Sequence, residues 1–461
     1  MRHFDLCIIG SGSGNSIPDE RFADLEIALV DKGTFGGTCL NVGCIPTKMF
    51  VYPADLAASV EPAERLGVEL QLNKVRFAEI RDRIFGRIDP ISAAGEQWRG
   101  ANPNVTLYRA EAHFTGPKTL DTGTGETITA DQFVLAAGSR VLIPDIPGLD
   151  SVTAHTSDTV MRLDELPGSM IIIGGGYIAA EFAHIFSAFG TRVTILNRSG
   201  ALLRTEDADV SSRFTELISR RVDVQLDRTF ERVERLPGDR VRVTSADRDG
   251  RSTSVEADVL LLATGRVPNG DTLNLAATGV EMDDEGYVVV DQHQRTTAEG
   301  IFALGDLSSN HQLKHVANHE MRVVQHNLLH PAAMIESDHR FVPHAVFSEP
   351  QVASVGLTEQ EATAQGVRYV SVIQDYGSIA YGWAMEDTDH FAKLLADPDT
   401  GLLLGAHLIG PQASSLIQPL IQAMSFGLPA REMARGQYWI HPALAELVEN
   451  ALLALPLGDD Q

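Results

Sequence analysis

The sequence predicts an α/β protein built from two doubly wound, parallel-sheet domains and a separate C-terminal α+β domain. Three observations carry this. Two apolar runs each end in a glycine-rich turn, Gly10-Ser11-Gly12-Ser13-Gly14 and Gly174-Gly175-Gly176, the form in which a strand feeds a phosphate-cradling loop. From about residue 342 the pattern changes to alternating strand-like segments followed by helices. The chain has 461 residues, too many for one hydrophobic core.

Composition narrows the function classes. The formal net charge is -25, from 62 acidic against 37 basic residues, which disfavours nucleic acid and anionic membrane surfaces as partners. Three cysteines in so long a chain fit a reducing compartment, where a surviving disulfide is catalytic and not structural. The start moves directly into a strand pattern without a signal peptide, and the apolar stretch 170–190 is broken by Glu181, His184 and glycines. The expected location is the cytoplasm.

Residues 6–9 form the first apolar run, ending in Gly10, Gly12 and Gly14, and residues 28–30 form a second that ends in Asp31. Strand, glycine turn, helix, strand and acid is the dinucleotide-binding order: the glycines let a pyrophosphate approach a helix N-terminus, and the acid accepts a ribose hydroxyl. Asn15 replaces the third glycine of the fingerprint, the one that normally allows close packing of helix on strand. A plain glycine-rich turn fits the same residues.

Cys39 and Cys44 come next, four residues apart, between Gly36-Gly37 and Lys48. A loop this short brings two sulfurs within bonding reach, and glycine frees the backbone to accept the ring. A helix start at Cys44, with Lys48 one turn later, favours a thiolate. By spacing alone the pair reads equally well as a redox site or as two cysteines that never join. No second pair exists to complete a metal site, since only Cys7 remains, and that residue reads as a small buried side chain in the first strand.

Residues 52–99 read as helical. Strand-like pieces at 105–108 and 133–137 end in Gly138-Ser139-Arg140, and Pro144, Pro147 and Gly148 mark a linker. The second fingerprint, residues 170–181, joins a strand, Gly174-x-Gly176 and a clear helix running through Tyr177, Ile178 and Glu181. The following strand, residues 192–196, ends in Asn197-Arg198 where an acid would hold a free 2′-hydroxyl. Arg198, with Arg204 two turns on, pairs instead with a 2′-phosphate, which predicts NADPH over NADH; solvated surface arginines are the plainer account.

Residues 258–263 lead through Gly265 out of the second nucleotide domain, and a strand at 301–304 ends in Gly305-Asp306. The aspartate there is placed to accept from a polyhydroxyl chain, or simply to cap a helix. Expected strands at 345–347, 352–356, 391–395 and 402–409 precede expected helices at 415–426, 431–434 and 444–453. His441-Pro442 precedes Glu446 across a helix start, so an imidazole held by a carboxylate can act as an oriented acid/base.

Glycine turn, Cys-x4-Cys, second glycine turn, Gly-Asp strand end and C-terminal His-Pro with Glu occur in one order over essentially the whole chain. In this the sequence resembles the pyridine nucleotide-disulfide oxidoreductases of the glutathione reductase and lipoamide dehydrogenase type. The resemblance implies two Rossmann-like domains: FAD in residues 1–150 and 268–338, NADPH in 151–267. It also implies a dimer-interface domain in 339–461 that donates its histidine to the partner subunit's site. It implies that Gly10, Gly12, Gly14, Asp31, Gly138, Asp306, Val316 and Ala317 hold FAD, with Asp31 on the adenosine ribose and Asp306 on the ribityl chain. Lys48 paired with Glu181 is expected near the flavin ring. Gly174, Gly176, Tyr177, Ile178, Glu181, Arg198, Arg204 and Gly265 are assigned to NADPH, Tyr177 covering the nicotinamide pocket. Lys314-His315 stands before Val316-Ala317 where the family usually has Thr-Pro.

Three longer stretches are similar to the mycothione reductase branch: residues 12–21 with Asn15 and Pro18, residues 381–387 with Trp383 and Met385, and residues 436–442 with Trp439 and His441. That likeness implies a homodimer whose substrate is a low-molecular-weight disulfide, mycothione. The residues by themselves reach only a small disulfide. The expected mechanism passes hydride from NADPH to FAD and then opens a Cys39-Cys44 disulfide. Cys44 is expected next to the isoalloxazine in a charge-transfer pair. Cys39 is the outward nucleophile, its pKa near or below the working pH, and His441 with Glu446 moves the proton. Alternatives are a dihydrolipoamide dehydrogenase, a glutathione reductase-like enzyme, or a flavoprotein that has lost turnover. Residues 456–461 carry no redox side chain, which argues against mercuric and large thioredoxin reductases.

Overall fold

The computed structural model describes residues 1–458; the last three residues of the cysteine-free tail lie outside the described residues. The chain divides into two compact units, one of residues 1–49, 79–142 and 265–339, the other of 50–78, 143–264 and 340 onward. Among the described residues no helix is long and apolar enough to cross a membrane.

The first unit is organised by parallel strands Val105–Tyr108, Ile27–Val30, Arg2–Ile9, Thr127–Leu135 and Ile301–Ala303, in that order across the sheet. Short antiparallel strands Thr119–Asp121 and His113–Gly116 extend it from the N-terminal half of Thr127–Leu135. Side chains alternate across the pleat. Cys7, Ile9, Ala28 and Val30 enter one core, while Leu6, Ile8, Ile27 and Leu29 enter the other, so the strands are apolar on both faces and read as continuous runs. Cys7 is fully buried, and burial pushes its thiol far above the ordinary range, consistent with a packing role.

The helix expected after the first glycine turn is absent. Two single 3-10 turns, Gly14–Ser16 and Glu20–Phe22, bridge the strands instead. Pro18 and the Asp19 side chain, which accepts from the Arg21 N–H at 2.9 Å, interrupt any longer helix, and Ile17 and Phe22 plug the face it would cover. The expected helix over 52–99 is also divided. Cys44–Ala58, Val60–Arg65 and Phe77–Gly100 are helical, whereas residues 66–76 are not. Gly67 takes φ +81°, which ends the second helix.

The second unit holds a five-stranded parallel sheet ordered Asp223–Gln225, Arg192–Leu196, Ser169–Ile173, Val259–Leu262, Ala154–Thr156. Helix Tyr177–Ala188 comes after the central strand. A three-stranded antiparallel sheet, Thr229–Arg235, Val241–Ala246 and Ser252–Ala257, was not expected from sequence because its strands are largely polar. The C-terminal part is a five-stranded antiparallel sheet ordered His344–Val346, Val352–Gly356, Leu403–Ile409, Phe391–Ala396, Val370–Asp375. Helices Gln418–Phe426 and Ala445–Ala454 pack on it through Leu420, Leu447, Val448 and Leu452 against Leu394, Ala406 and Leu408. This is the α+β architecture read from the change of pattern near residue 342. Lys393 lies buried in this unit with its Nζ 2.9 Å from Asp207 Oδ1, 2.6 Å from Asp209 Oδ2 and 2.5 Å from Glu359 Oε2.

Candidate active site

In the first unit the ends of four parallel strands converge. Ile9 pairs with Val30 and with Leu135, and Leu135 with Ala303, so the next residues on each strand, Gly10, Asp31, the segment up to Gly138, and Gly305-Asp306, emerge along one sheet edge. That edge is where doubly wound sheets bind ligands. Gly10 has φ +113°, and a Cβ on it would stand 2.1 Å from Ala136 O, so no other residue fits the turn. A Cβ on Gly14 would meet Ala136 Cβ and Ile8 Cγ2 at 2.9 Å. The close-packing role of the fingerprint therefore falls to Gly14. Asn15 serves differently: its carbonyl and Oδ1 accept from the buried Arg99 guanidinium at 2.5 and 2.8 Å, and Pro18 O accepts at 3.0 Å.

Asp31 Oδ2 accepts from the Ser11 N–H and Oδ1 from the Gly33 N–H, both at 2.6 Å, which locks the acid to the glycine turn. Each oxygen keeps a second lone pair, and the carboxylate borders a cavity lined by Gly10, Asp31, Lys32, Ala137, Asn269 and Leu273. Asp306 Oδ2 accepts from Ser139 Oγ at 2.6 Å, and Arg266 donates to Ser139 through Nε at 2.7 Å and Nη2 at 2.8 Å. Gly138 turns beside them with φ +66°, and Gly265 O accepts from the Leu142 N–H at 2.9 Å. Val316 and Ala317 are buried in helix Lys314–Leu329, whose N-terminus no side chain caps. A cradle that Cβ atoms would fill, an acid at one end, a second acid at the other and an uncapped helix fit an extended dinucleotide such as FAD.

The cysteines stand beside this cradle. Gly36 and Gly37 take φ +98° and +71°, and a Cβ on Gly37 would lie 2.7 Å from Gly12 Cα, so the cysteine segment and the glycine turn meet backbone to backbone. Cys39 lies in the short helix Gly37–Asn41, and Cys44 is the first residue of helix Cys44–Ala58. Buried Asn41 braces the loop, its Nδ2 donating to Phe35 O at 2.9 Å and Gly37 O at 3.0 Å. The Cys39 and Cys44 side chains are in hydrogen-bonding contact as thiols. That contact first, then burial, raises the Cys39 thiol well above its ordinary range, against the opposing fields of Lys314 and Lys48. While the two thiols share this contact, a base facing Cys39 would favour its thiolate.

In the second unit Gly174 takes φ +134°, and a Cβ there would meet Ala263 O at 2.1 Å. Gly176 precedes helix Tyr177–Ala188 with open space above it. Tyr177 is exposed and Ile178 half-buried at the first turn, while Glu181 is buried and accepts from the Phe347 N–H at 3.0 Å. Lys48 belongs to the first unit and Glu181 to the second. Asn197, at the strand end where an acid was sought, is buried, and its Nδ2 donates to Ser199 O at 3.1 Å and Ala201 O at 3.0 Å. The Leu203 N–H donates to Gly175 O at 2.7 Å, which folds the loop back onto the glycine turn and leaves Arg198 and Arg204 exposed along it. Fixed backbone with two outward guanidiniums fits an anion outside the ribose, as NADPH carries.

His441 Nδ1 lies 2.6 Å from Glu446 Oε1, and Glu446 Oε2 accepts from the Ala443 N–H at 3.3 Å. The His441 hydrogen bond holds the Glu446 carboxyl below its usual range. The sequence pairing is thus a physical one, although the imidazole itself is 70% exposed in the single chain.

Residues 4–322 match the model of the pyridine nucleotide-disulphide oxidoreductases, and residues 342–452 match the dimerisation domain of the same enzymes. The chain belongs to the pyridine nucleotide-disulphide oxidoreductases. It is 54% identical to a mycothione reductase of Mycobacterium tuberculosis over 99% of this chain and 100% of that protein. A dihydrolipoyl dehydrogenase of Halobacterium salinarum is 34% identical over 97% and 95% of the two chains. Among solved structures, the HOCl-induced flavoprotein disulfide reductase RclA from Escherichia coli superposes with a TM-score of 0.85 at 27% identity, covering 98% of this chain and 99% of that one.

Several residues of this pyridine nucleotide-disulphide oxidoreductase escaped the sequence reading. Ser139 and Arg266 bracket Asp306, and Arg99 supports the shortened glycine segment. Lys314, noted only as a departure, donates from Nζ to Ser13 Oγ at 2.8 Å, placing a cation on the glycine turn. Single serines and arginines carry no spacing signal, and only the neighbouring fingerprint at Gly138-Ser139-Arg140 points towards one of them.

Proposed function

We propose that the protein is an FAD-dependent disulfide reductase that uses NADPH and takes mycothione as substrate, working as a homodimer in the cytoplasm. The observation that carries the substrate is the 54% identity to a mycothione reductase across the full length of both chains. The match of residues 342–452 to a dimerisation domain supports the dimer.

When bound, FAD and NADPH supply the two-electron hydride relay that no side chain here provides. Asp31, Asp306 and the turn from Gly10 to Gly14 hold the flavin nucleotide, with Lys48 and Glu181 assigned to its ring by family likeness. Tyr177, Arg198 and Arg204 hold the nicotinamide nucleotide. Those two electrons open the Cys39-Cys44 disulfide to the dithiol. Cys39, once deprotonated, attacks one sulfur of the substrate and releases the first thiol. Cys44 then attacks Cys39 in the mixed disulfide, releases the second thiol and re-forms the Cys39-Cys44 bond. His441, donated across the dimer to the partner subunit's site, takes the Cys39 proton there and passes it to the leaving sulfur, with Glu446 fixing the ring through Nδ1 so that Nε2 does the exchange. The 2.6 Å contact of His441 Nδ1 with Glu446 Oε1 supports a mechanism with such a base.

The test compares NADPH-driven reduction of mycothione, glutathione disulfide and lipoamide. Turnover on mycothione at least tenfold faster than on the other two is expected. Equal rates, or a preference for lipoamide, would overturn the substrate.

A further inference from the structure

We propose that Arg248 is a further specificity-determining residue for the 2′-phosphate, reaching the loop of Arg198 and Arg204 from the hairpin turn between strands Val241–Ala246 and Ser252–Ala257. This rests on the NADPH reading above. The loop, residues 197–204, is held by the Asn197 carboxamide and by the Leu203 N–H on Gly175. At its crest Gly200 has no side chain. A Cβ there would stand 3.2 Å from Arg248 Nη2 and 3.4 Å from Asp227 Oδ1, so the guanidinium lies directly on the loop backbone.

Asp227 is the reason this matters. Its N–H donates to Ser199 O at 3.2 Å, which fixes a carboxylate beside the loop where a phosphate would approach. A bare carboxylate there repels the phosphate. Arg248 Nη2 lies 2.9 Å from Asp227 Oδ1 and cancels that charge, while Nε and Nη1 of the planar fork carry further donors. The other carboxylates of the turn are engaged in their own hairpin. Asp247 Oδ1 accepts from the N–H groups of Asp249 and Arg251 at 2.9 Å, and Asp249 pairs with Arg251 at 2.7 Å. Arg198, Arg204 and Arg248 then outweigh Asp227, and loss of Arg248 both removes a cation and uncovers an anion. The side chain of Arg248 is 76% exposed, so its ion pair contributes little to folding and the variants should fold.

Calorimetric binding of 2′,5′-ADP and 5′-AMP to the flavin-loaded protein at low salt tests this. R248Q should weaken 2′,5′-ADP by about 3- to 10-fold and leave 5′-AMP unchanged, and D227N/R248Q should recover at least half of that loss on a logarithmic scale. An R248Q variant that binds 2′,5′-ADP as wild type does, an equal loss for both ligands, or a double variant as weak as R248Q would overturn the role of Arg248. A wild-type protein with no preference for 2′,5′-ADP would instead overturn the NADPH reading, and this proposal with it.

Discussion

The Nδ1 atom of His441 sits 2.6 Å from Oε1 of Glu446, so the imidazole is oriented through one nitrogen and the other becomes its proton-exchanging end. Replacing Glu446 by Gln keeps the size but removes the charge that stabilises the imidazolium. Steady-state turnover on the disulfide should fall by about 10- to 100-fold. Reduction of the bound flavin by NADPH, monitored by stopped-flow absorbance, should keep its wild-type rate. Equal losses in both half-reactions would remove the pair from proton transfer.

Cys39 and Cys44 are assigned different tasks, and single substitutions separate them. Cys39→Ser should abolish disulfide turnover while the flavin stays bound and is still bleached by NADPH. Cys44→Ser should in addition lose the long-wavelength absorbance expected of a thiolate beside the ring. Anaerobic titration in a spectrophotometer distinguishes the two, and unchanged turnover in Cys39→Ser would contradict the assignment.

Reversing the charge at Arg198 and Arg204 should raise the KM for NADPH by about 100-fold or more, two charge-assisted contacts being lost, and change that for NADH only a few-fold. Initial rates with both nucleotides give the answer. Parallel changes would mean that the arginines touch no phosphate.

Lys393 is 2% exposed and surrounded by Asp207, Asp209 and Glu359. Burial alone would lower its pKa, yet the three carboxylates raise it well above the ordinary lysine range. Lys393→Met leaves those carboxylates without their counter-ion and should cost about 3–5 kcal/mol of stability. Denaturant or thermal unfolding monitored by circular dichroism measures the loss.

The Glu206–His344 pair sets a pH window. Burial works against both charges, but their contact at 2.7 Å prevails, holding Glu206 below its ordinary range and His344 above its ordinary 6.5. The carboxylate's contribution is present above its ordinary range and lost as pH falls through its depressed value. The imidazole's contribution is full below about 6.5 and lost as pH rises through its raised value. The melting temperature of His344→Gln should therefore lie furthest below wild type at mildly acidic pH and converge on it in alkali. Parallel curves from pH 5 to pH 9 would show that the pair does not titrate with folding.

How far each element was legible in the sequence depends on the physics of its signal. Strands 105–108, 192–196 and 352–356 were read to the residue because apolar β-branched runs between turn signals have few other solutions. Cys39, Cys44, His441 and Glu446 were legible because their chemistry depends on short separations along the chain. The hairpin strands Thr229–Arg235 and Ser252–Ala257 were missed because they face solvent and lack the apolar half of the alternation. The missing first helix was hidden because a glycine fingerprint specifies the turn and leaves the conformation of the next residues open. The meeting of Ser139, Arg266 and Asp306 depends on strand order, which local pattern does not encode.

The touching of Gly12 and Gly37 has a practical consequence. Because a Cβ on Gly37 would stand 2.7 Å from Gly12 Cα, an added methyl at position 37 should wedge the phosphate turn and the sulfur-bearing segment apart. Cofactor retention and sulfur alignment would then fail together, so a Gly37→Ala protein that emerges colourless should also have lost its reactive thiol geometry.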